Sequence, residues 1–216
     1  MSGIEVSDLE KRYGKARALR GLSAVLPLER ATLVAGPNGA GKSTLLRILA
    51  GLCRPSRGRV SVLGIDPYGP RRAELRSRLG YLGPEAGLYA DLSVRENLRF
   101  TARLHAVPAA RIDACLAEHG LEAVAEQRTA SLSFGFRRRA GLARALLGEP
   151  EVVLLDEPWN GLDDAAAQRL ADLLARCKQA GRTLLVAAHA PAHAQLFDCA
   201  LRLENGALIA LERGAA

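Results

Sequence analysis

No apolar run in this sequence approaches the roughly 20 residues a spanning helix needs, so the chain is not expected to cross a membrane by itself. The opening MSGIEVSDLEKRYG carries acidic residues early, with no apolar core leading to a small-residue cleavage site. It does not read as a secretory signal, and the cytosol is the expected compartment. Cysteine is sparse: Cys53, Cys115, Cys177 and Cys199 show neither C-x-x-C nor Cys/His spacing. That argues against a disulfide frame or a zinc site and for reduced, mostly buried thiols. No repeat, low-complexity tract or linker interrupts the 216 residues, a length that favours one domain.

What is present is an ordinary folded composition, 49% hydrophobic and 25% charged, with a formal charge of +7. Such a charge fits a nucleic-acid surface, phosphate-binding sites or a face near anionic lipid, and alone does not choose among them. The pattern opens with short β-like runs from Ile4 to Ala35, the last of which, ATLVAG, enters glycines directly. A helical period over Thr44 to Gly51 follows, giving the order strand, loop, helix. β-like stretches at Arg59 to Leu63 and Leu79 to Leu82 flank a charged helical segment, Arg71 to Arg78. From Val94 to Leu147 the pattern is nearly all helical, with ARIDACLAEHGLEAVAEQ as one run. Strands are expected again at Val152 to Leu155 and Thr183 to Ala188, around a helix from Asp164 to Gln179, before a closing β pair. Strands alternating with helices imply a mostly parallel α/β sheet with a helical insertion.

Gly36, Pro37, Asn38, Gly39, Ala40, Gly41, Lys42 and Ser43 match G-x-x-x-x-G-K-[ST], the phosphate-binding P-loop, and Thr44 follows. Glycines let backbone N–H groups curl around phosphate oxygens, the next helix adds a partial positive charge, and Lys42 adds a full one. Ser43 places a hydroxyl where Mg²⁺ would sit. The loop alone fits a kinase or GTPase equally well. The apolar strand Val152 to Leu155 ends in Asp156 and Glu157. After a P-loop, Asp156 is the expected Mg²⁺ partner, and Glu157 the carboxylate that polarises an attacking water.

Leu132, Ser133, Phe134 and Gly135, followed by Phe136 to Arg144 and then the acidic strand, resemble the LSGGQ-type signature of the ABC ATPases. The resemblance runs over essentially the whole chain with its motifs in order. It implies an ABC-type P-loop NTPase fold over residues 1–216: a mostly parallel core sheet, an N-terminal antiparallel β region and an inserted helical subdomain. The core lobe is expected at about 1–85 and 150–216, and the helical lobe at about 86–149. It also implies ATP and Mg²⁺ as ligands and a head-to-tail homodimer in which Ser133 and Gly135 face the γ-phosphate held by the other copy. Tyr13 resembles the aromatic that stacks on adenine. Asn160, Gly161, Leu162 and Asp163 resemble the D-loop that touches the partner copy, and His189 resembles the switch histidine at the γ-phosphate. A separate membrane permease is the implied partner, with the chain peripheral at the cytoplasmic face of the inner membrane, an ATPase coupled to transport.

Three departures stand out. Pro84, with Glu85 beside it, stands where the family has a glutamine after GYLP: either Glu85 takes the Mg²⁺ or water contact or, the favoured reading, this loop serves mainly to dock the permease. Phe134 and Phe136 replace smaller or polar signature residues, bulk that would slow dimer closure. Trp159 opens the D-loop and reads as either a dimer or a core contact. Within the family, DLSVRENLRFTARLH resembles exporter-type cassettes, and the YLG of GYLGPEAGLY in place of YLPQ, together with the short chain and an LSxG signature, resembles the haem-exporter subunit of cytochrome c maturation. Short drug, lipid and polysaccharide exporters carry nearly the same cassette and remain the alternative. A soluble DNA- or ribosome-acting ABC ATPase is disfavoured, having neither a long coiled coil nor a second cassette here, and no direct nucleic-acid contact is expected. A P-loop kinase lacks the ordered signature and D-loop, and an inert module with a decayed site is the remaining reading.

Overall fold

The computed structural model describes residues 3–188 and 193–213. Two sheets organise it. β1 (Ile4–Tyr13), β2 (Ala16–Leu26) and β4 (Arg57–Val62) form an antiparallel sheet in the order β2-β1-β4. Alternate residues of β1, among them Ile4 and Val6, are buried while Glu5 faces solvent, the period of a sheet with one wet face.

The larger sheet is built on β3 (Ala31–Ala35), β6 (Val152–Asp156) and β7 (Thr183–Ala187), every residue of which is buried. Unbroken apolar runs such as VVLL suit strands covered on both faces, and all three pair in parallel. With β5 (Leu79–Leu82), β8 (Cys199–Glu204) and β9 (Ala207–Arg213) the order is β5-β6-β7-β3-β8-β9, β9 alone running antiparallel. Parallel pairing brings the carboxyl ends of β3, β6 and β7 to one edge, where ligands of open α/β sheets collect.

The helices are α1 (Lys42–Leu49), α2 (Arg72–Ser77), α3 (Val94–Leu104), α4 (Ala110–Glu118), α5 (Phe134–Leu146) and α6 (Asp164–Gln179). Val94 and Leu98 of α3, Ile112 and Leu116 of α4, and Ala140 and Ala143 of α5 share one apolar core. The opposite side of α5, Leu142 and Ala145, packs with Leu82, Val153 and Leu155 of the sheet. α5 therefore bridges the helical cluster and the strand that ends in the acid pair.

Several boundaries differ from the sequence pattern. α1 starts two residues earlier than expected, at Lys42, because Gly41 with φ of 101° takes the N-cap position directly. β4 starts at Arg57, drawn out by pairing with Glu10, and ends at Val62, since Leu63 turns away with φ of 54°. The run expected to continue past His119 breaks at Gly120, so α4 ends at Glu118. Cys115, Cys177 and Cys199 are buried and Cys53 is half-buried, all as free thiols. Among the described residues no helix is long and apolar enough to cross a membrane.

Candidate active site

β3 delivers the chain into the glycine loop and α1 takes it away. Gly41 is required at the junction: beyond its positive φ, a Cβ there would lie 2.5 Å from the Ala18 carbonyl oxygen. α1 has no side chain capping its N-terminus and no acidic residue in its first turn. Its leading N–H groups and partial positive charge are left for an anion. Lys42 is only 6% exposed; its Nζ donates to the carbonyls of Gly36 (2.7 Å) and Pro37 (3.2 Å) and lies 3.7 Å from Glu157.

A cleft of about 500 Å³ opens over this loop. Asn38, Gly39, Ala40, Gly41, Lys42, Ser43 and Thr44 form its floor, and Tyr13, Ala18, Glu157 and Asn160 its rim. Tyr13 is 46% exposed, with its hydroxyl 3.2 Å from Cys53 Sγ and Lys11 Nζ 4.9 Å from its ring centroid. Burial of the phenol, then its bond to Cys53, pushes its pKa up. The ring offers a flat face beside the cleft, as adenine stacking requires.

Asp156 is 1% exposed, and among the described residues neither of its carboxylate oxygens has a hydrogen-bond partner. A buried carboxylate in that condition costs several kcal/mol, a cost that a cation would remove. The donor set suits Mg²⁺, which takes one or two protein oxygens with phosphates and water rather than a full protein cage. Glu157 adopts φ of 48°, the left-handed region that costs a non-glycine residue about 1–2 kcal/mol and persists only where neighbours fix it. Three backbone bonds do so: its N–H donates to Ala187 O (2.8 Å), and its carbonyl accepts from Arg138 Nη2 (2.8 Å) and Asn160 N (3.2 Å).

The other expected residues lie elsewhere. Ser133 caps α5, accepting from Phe136 N at 3.3 Å, and is exposed with Phe134. Gly135 sits beside the Gly161 carbonyl. Asp163 caps α6 through Oδ1, accepting from Ala166 N at 2.7 Å. Ser133, Gly135 and Asp163 do not line the cleft. Glu85 faces a second cleft, with Pro84, Ala130, Phe134 and Arg138, and not the P-loop. Trp159 is half-buried against Phe197, ring centroids 6.5 Å apart, which makes it a core contact of its own chain. His189 lies outside the described residues.

Sequence reasoning missed Arg138 and gave Asn160 no place in the cleft. The available signal was an arginine on the apolar face of α5, three and four residues before Gly141 and Leu142.

The sequence profile of the ABC transporter family matches residues 19–160. The chain belongs to that family. It is 41% identical over 191 residues to a daunorubicin resistance ATP-binding protein of Streptomyces coeruleorubidus, covering 86% of this chain and 60% of that protein. With a Nod factor export ATP-binding protein I of Burkholderia orbicola it shares 38% over 216 residues, 96% of this chain and 69% of the relative. The chain thus spans 60% to 69% of the length of these two relatives. A solved ATP-binding subunit of an ABC transporter superposes with a TM-score of 0.90 at 28% identity, covering 98% of this chain and 90% of its own. The fold is therefore that of an ABC ATPase domain, as the signature implied. Haem export finds no support among these relatives, whose names are those of drug-resistance and Nod factor export proteins.

Proposed function

We propose that the chain is the ATP-binding and hydrolysing subunit of an exporter, acting as a head-to-tail dimer beneath a separate permease at the cytoplasmic face of the membrane. The observation that carries it is the P-loop lysine held 3.7 Å from Glu157 in a cleft whose floor is an uncapped helix N-terminus. In this reading residues Gly36 to Thr44 cradle the phosphates and Tyr13 takes the adenine. Ser43 and Asp156 hold Mg²⁺, which when bound neutralises charge on the phosphate oxygens. Glu157 accepts a proton from, and so orients, the attacking water, with its backbone fixed beforehand. His189 is assigned to the γ-phosphate by its place after β7. Ser133, exposed at the N-cap of α5, and the half-buried Gly135 in its first turn do not line the cleft and serve the nucleotide of the second copy, and Asp163 lies on the D-loop that meets it. The second cleft, at Pro84 and Glu85, with the exposed ring pair Tyr89 and Phe100 nearby, is the proposed permease face.

The cargo class follows the relatives: a drug-like or other amphiphilic molecule leaving the cell. No observation favours haem over these. Purified chain with Mg²⁺ is expected to hydrolyse ATP, and Glu157→Gln to lower turnover by about 10²-fold or more while still binding ATP. Turnover that survives this substitution removes Glu157 from its role, and absence of ATP binding removes the reading altogether.

A further inference from the structure

Arg138 is 3% exposed, on the side of α5 that carries the buried Gly141 and Leu142. Among the described residues its guanidinium makes no hydrogen bond to a carboxylate. Instead Nη1 donates to the carbonyls of Gly83 (2.6 Å) and Pro84 (3.2 Å), in the loop after β5, and Nη2 to those of Asp156 and of Glu157 (2.8 Å). Two loops at the ends of neighbouring strands are therefore joined by one planar, charged fork. A fork of fixed geometry cannot follow one pair of acceptors and keep the other. A guanidinium already removed from water has no solvent partner to replace a bond it loses.

The surroundings restrict the loop further. Three residues along the same face, a Cβ on Gly141 would lie 2.9 Å from the Ala86 carbonyl oxygen and Cβ, so α5 and this loop are in backbone contact. One turn later Arg144 donates to the carbonyls of Tyr81 (2.9 Å) and Ala86 (3.4 Å). On the other side, one of the three backbone bonds that hold Glu157 in its left-handed conformation comes from Arg138. None of these four guanidinium hydrogen bonds goes to the P-loop. Its position bears on where Glu157 stands and not on how phosphate is bound.

We infer that Arg138 is a positioning residue: it makes the loop at Gly83 and Pro84, the start of the signature helix and the Asp156–Glu157 turn one mechanical unit, so that a force on that loop displaces Glu157. The inference rests on the ATPase reading for its consequence, but not for its first test. Where Pro84 provides no side-chain hydrogen bond toward the nucleotide, the link runs through backbone carbonyls and this arginine. A ligand or partner pressing on the loop and a nucleotide in the cleft then compete for, or cooperate through, a single joint.

Hydrogen–deuterium exchange on the full chain, with and without a non-hydrolysable ATP analogue and Mg²⁺, tests this without turnover. In the wild type the analogue is expected to slow exchange both at residues 156–160 and at residues 83–88. In Arg138→Gln the first response stays and the second is lost. ATPase kinetics supply the other arm: kcat falls at least about tenfold, as misplacement of a catalytic group predicts, while KM and analogue affinity stay within about twofold of wild type. Arg138→Lys keeps a buried charge without the fork and is expected to fall short on both readouts; it replaces Arg138→Gln if that variant does not fold. A folded variant whose 83–88 segment still responds to the analogue overturns the inference, as does a wild-type segment that never responds, or kcat and KM that fall together with thermal stability. If the wild type binds the analogue but does not turn over ATP, the hydrolytic reading falls and the exchange experiment still decides on Arg138.

Discussion

Phe134 is where this signature departs most from one built of small residues, and its ring does not hang free. It lies over Gly161 of the D-loop, so closely that a methyl group at Gly161 would collide with its Cδ1 and Cε1. Gly161 also has φ of 73°, a second reason for glycine there. Gly161→Ala is therefore expected to destabilise the chain by about 1–3 kcal/mol through overpacking, with strain from the positive φ in addition. Phe134→Ala in the same chain removes the first contribution and leaves the second. Urea unfolding of the two single variants and the double variant checks this as a cycle: additive losses would show that the ring and the glycine are independent.

At the scale of elements, α3 shows how the helical cluster is tied to the segment before it. Ser93 and Glu96 form a reciprocal cap, Ser93 Oγ accepting from Glu96 N and Glu96 accepting from Ser93 N. Asn97, 2% exposed, accepts from Tyr89 N at 2.8 Å and donates to the carbonyls of Tyr89, Leu92 and Ser93. Ser93→Ala is expected to cost about 1 kcal/mol. Asn97→Leu removes the acceptor of the Tyr89 N–H and a donor that three carbonyls share, each of which keeps another partner, and is expected to cost about 2 kcal/mol. Thermal melts rank the two, and equal losses would count against the Asn97 network. These elements were legible for a physical reason. A buried strand such as VVLLD and an amphipathic run such as VRENLRFTARL carry their burial in their own periodicity. The P-loop and acid pair were legible because phosphate chemistry restricts residue type locally. Arg138 was not, since in sequence it is the middle of three arginines, and only the fold brings four carbonyls from two distant loops around it. Ser133 and Asp163 were partly legible: their types fit both a phosphate contact and an N-cap, and within one chain the N-cap is what forms.

Across the whole molecule, the proposed chemistry is divided between surfaces that one chain does not bring together. Lys42, Ser43 and Glu157 line the cleft, whereas Ser133 and Gly135 do not. The split makes a prediction that a self-contained site does not share. Lys42→Ala disables the P-loop of a chain but leaves its signature intact, and Gly135→Glu places a carboxylate at the signature but leaves the P-loop intact. Each variant alone is expected to be inactive, Gly135→Glu still binding ATP because its cleft is unaltered. When the two are mixed, a head-to-tail pair combines the intact P-loop of one chain with the intact signature of the other. Half of randomly paired dimers are mixed, and each holds one sound site of two, so turnover is expected to recover to at most about a quarter of the wild-type rate. With a charge of +7 on each copy, pairing is opposed by long-range repulsion, so recovery should be greater at moderate salt than at very low salt. Titration of one variant into the other, followed by ATPase rate, is the measurement. A mixture no faster than its components would mean that the two surfaces do not meet across a dimer, and the signature would then have to act within its own chain.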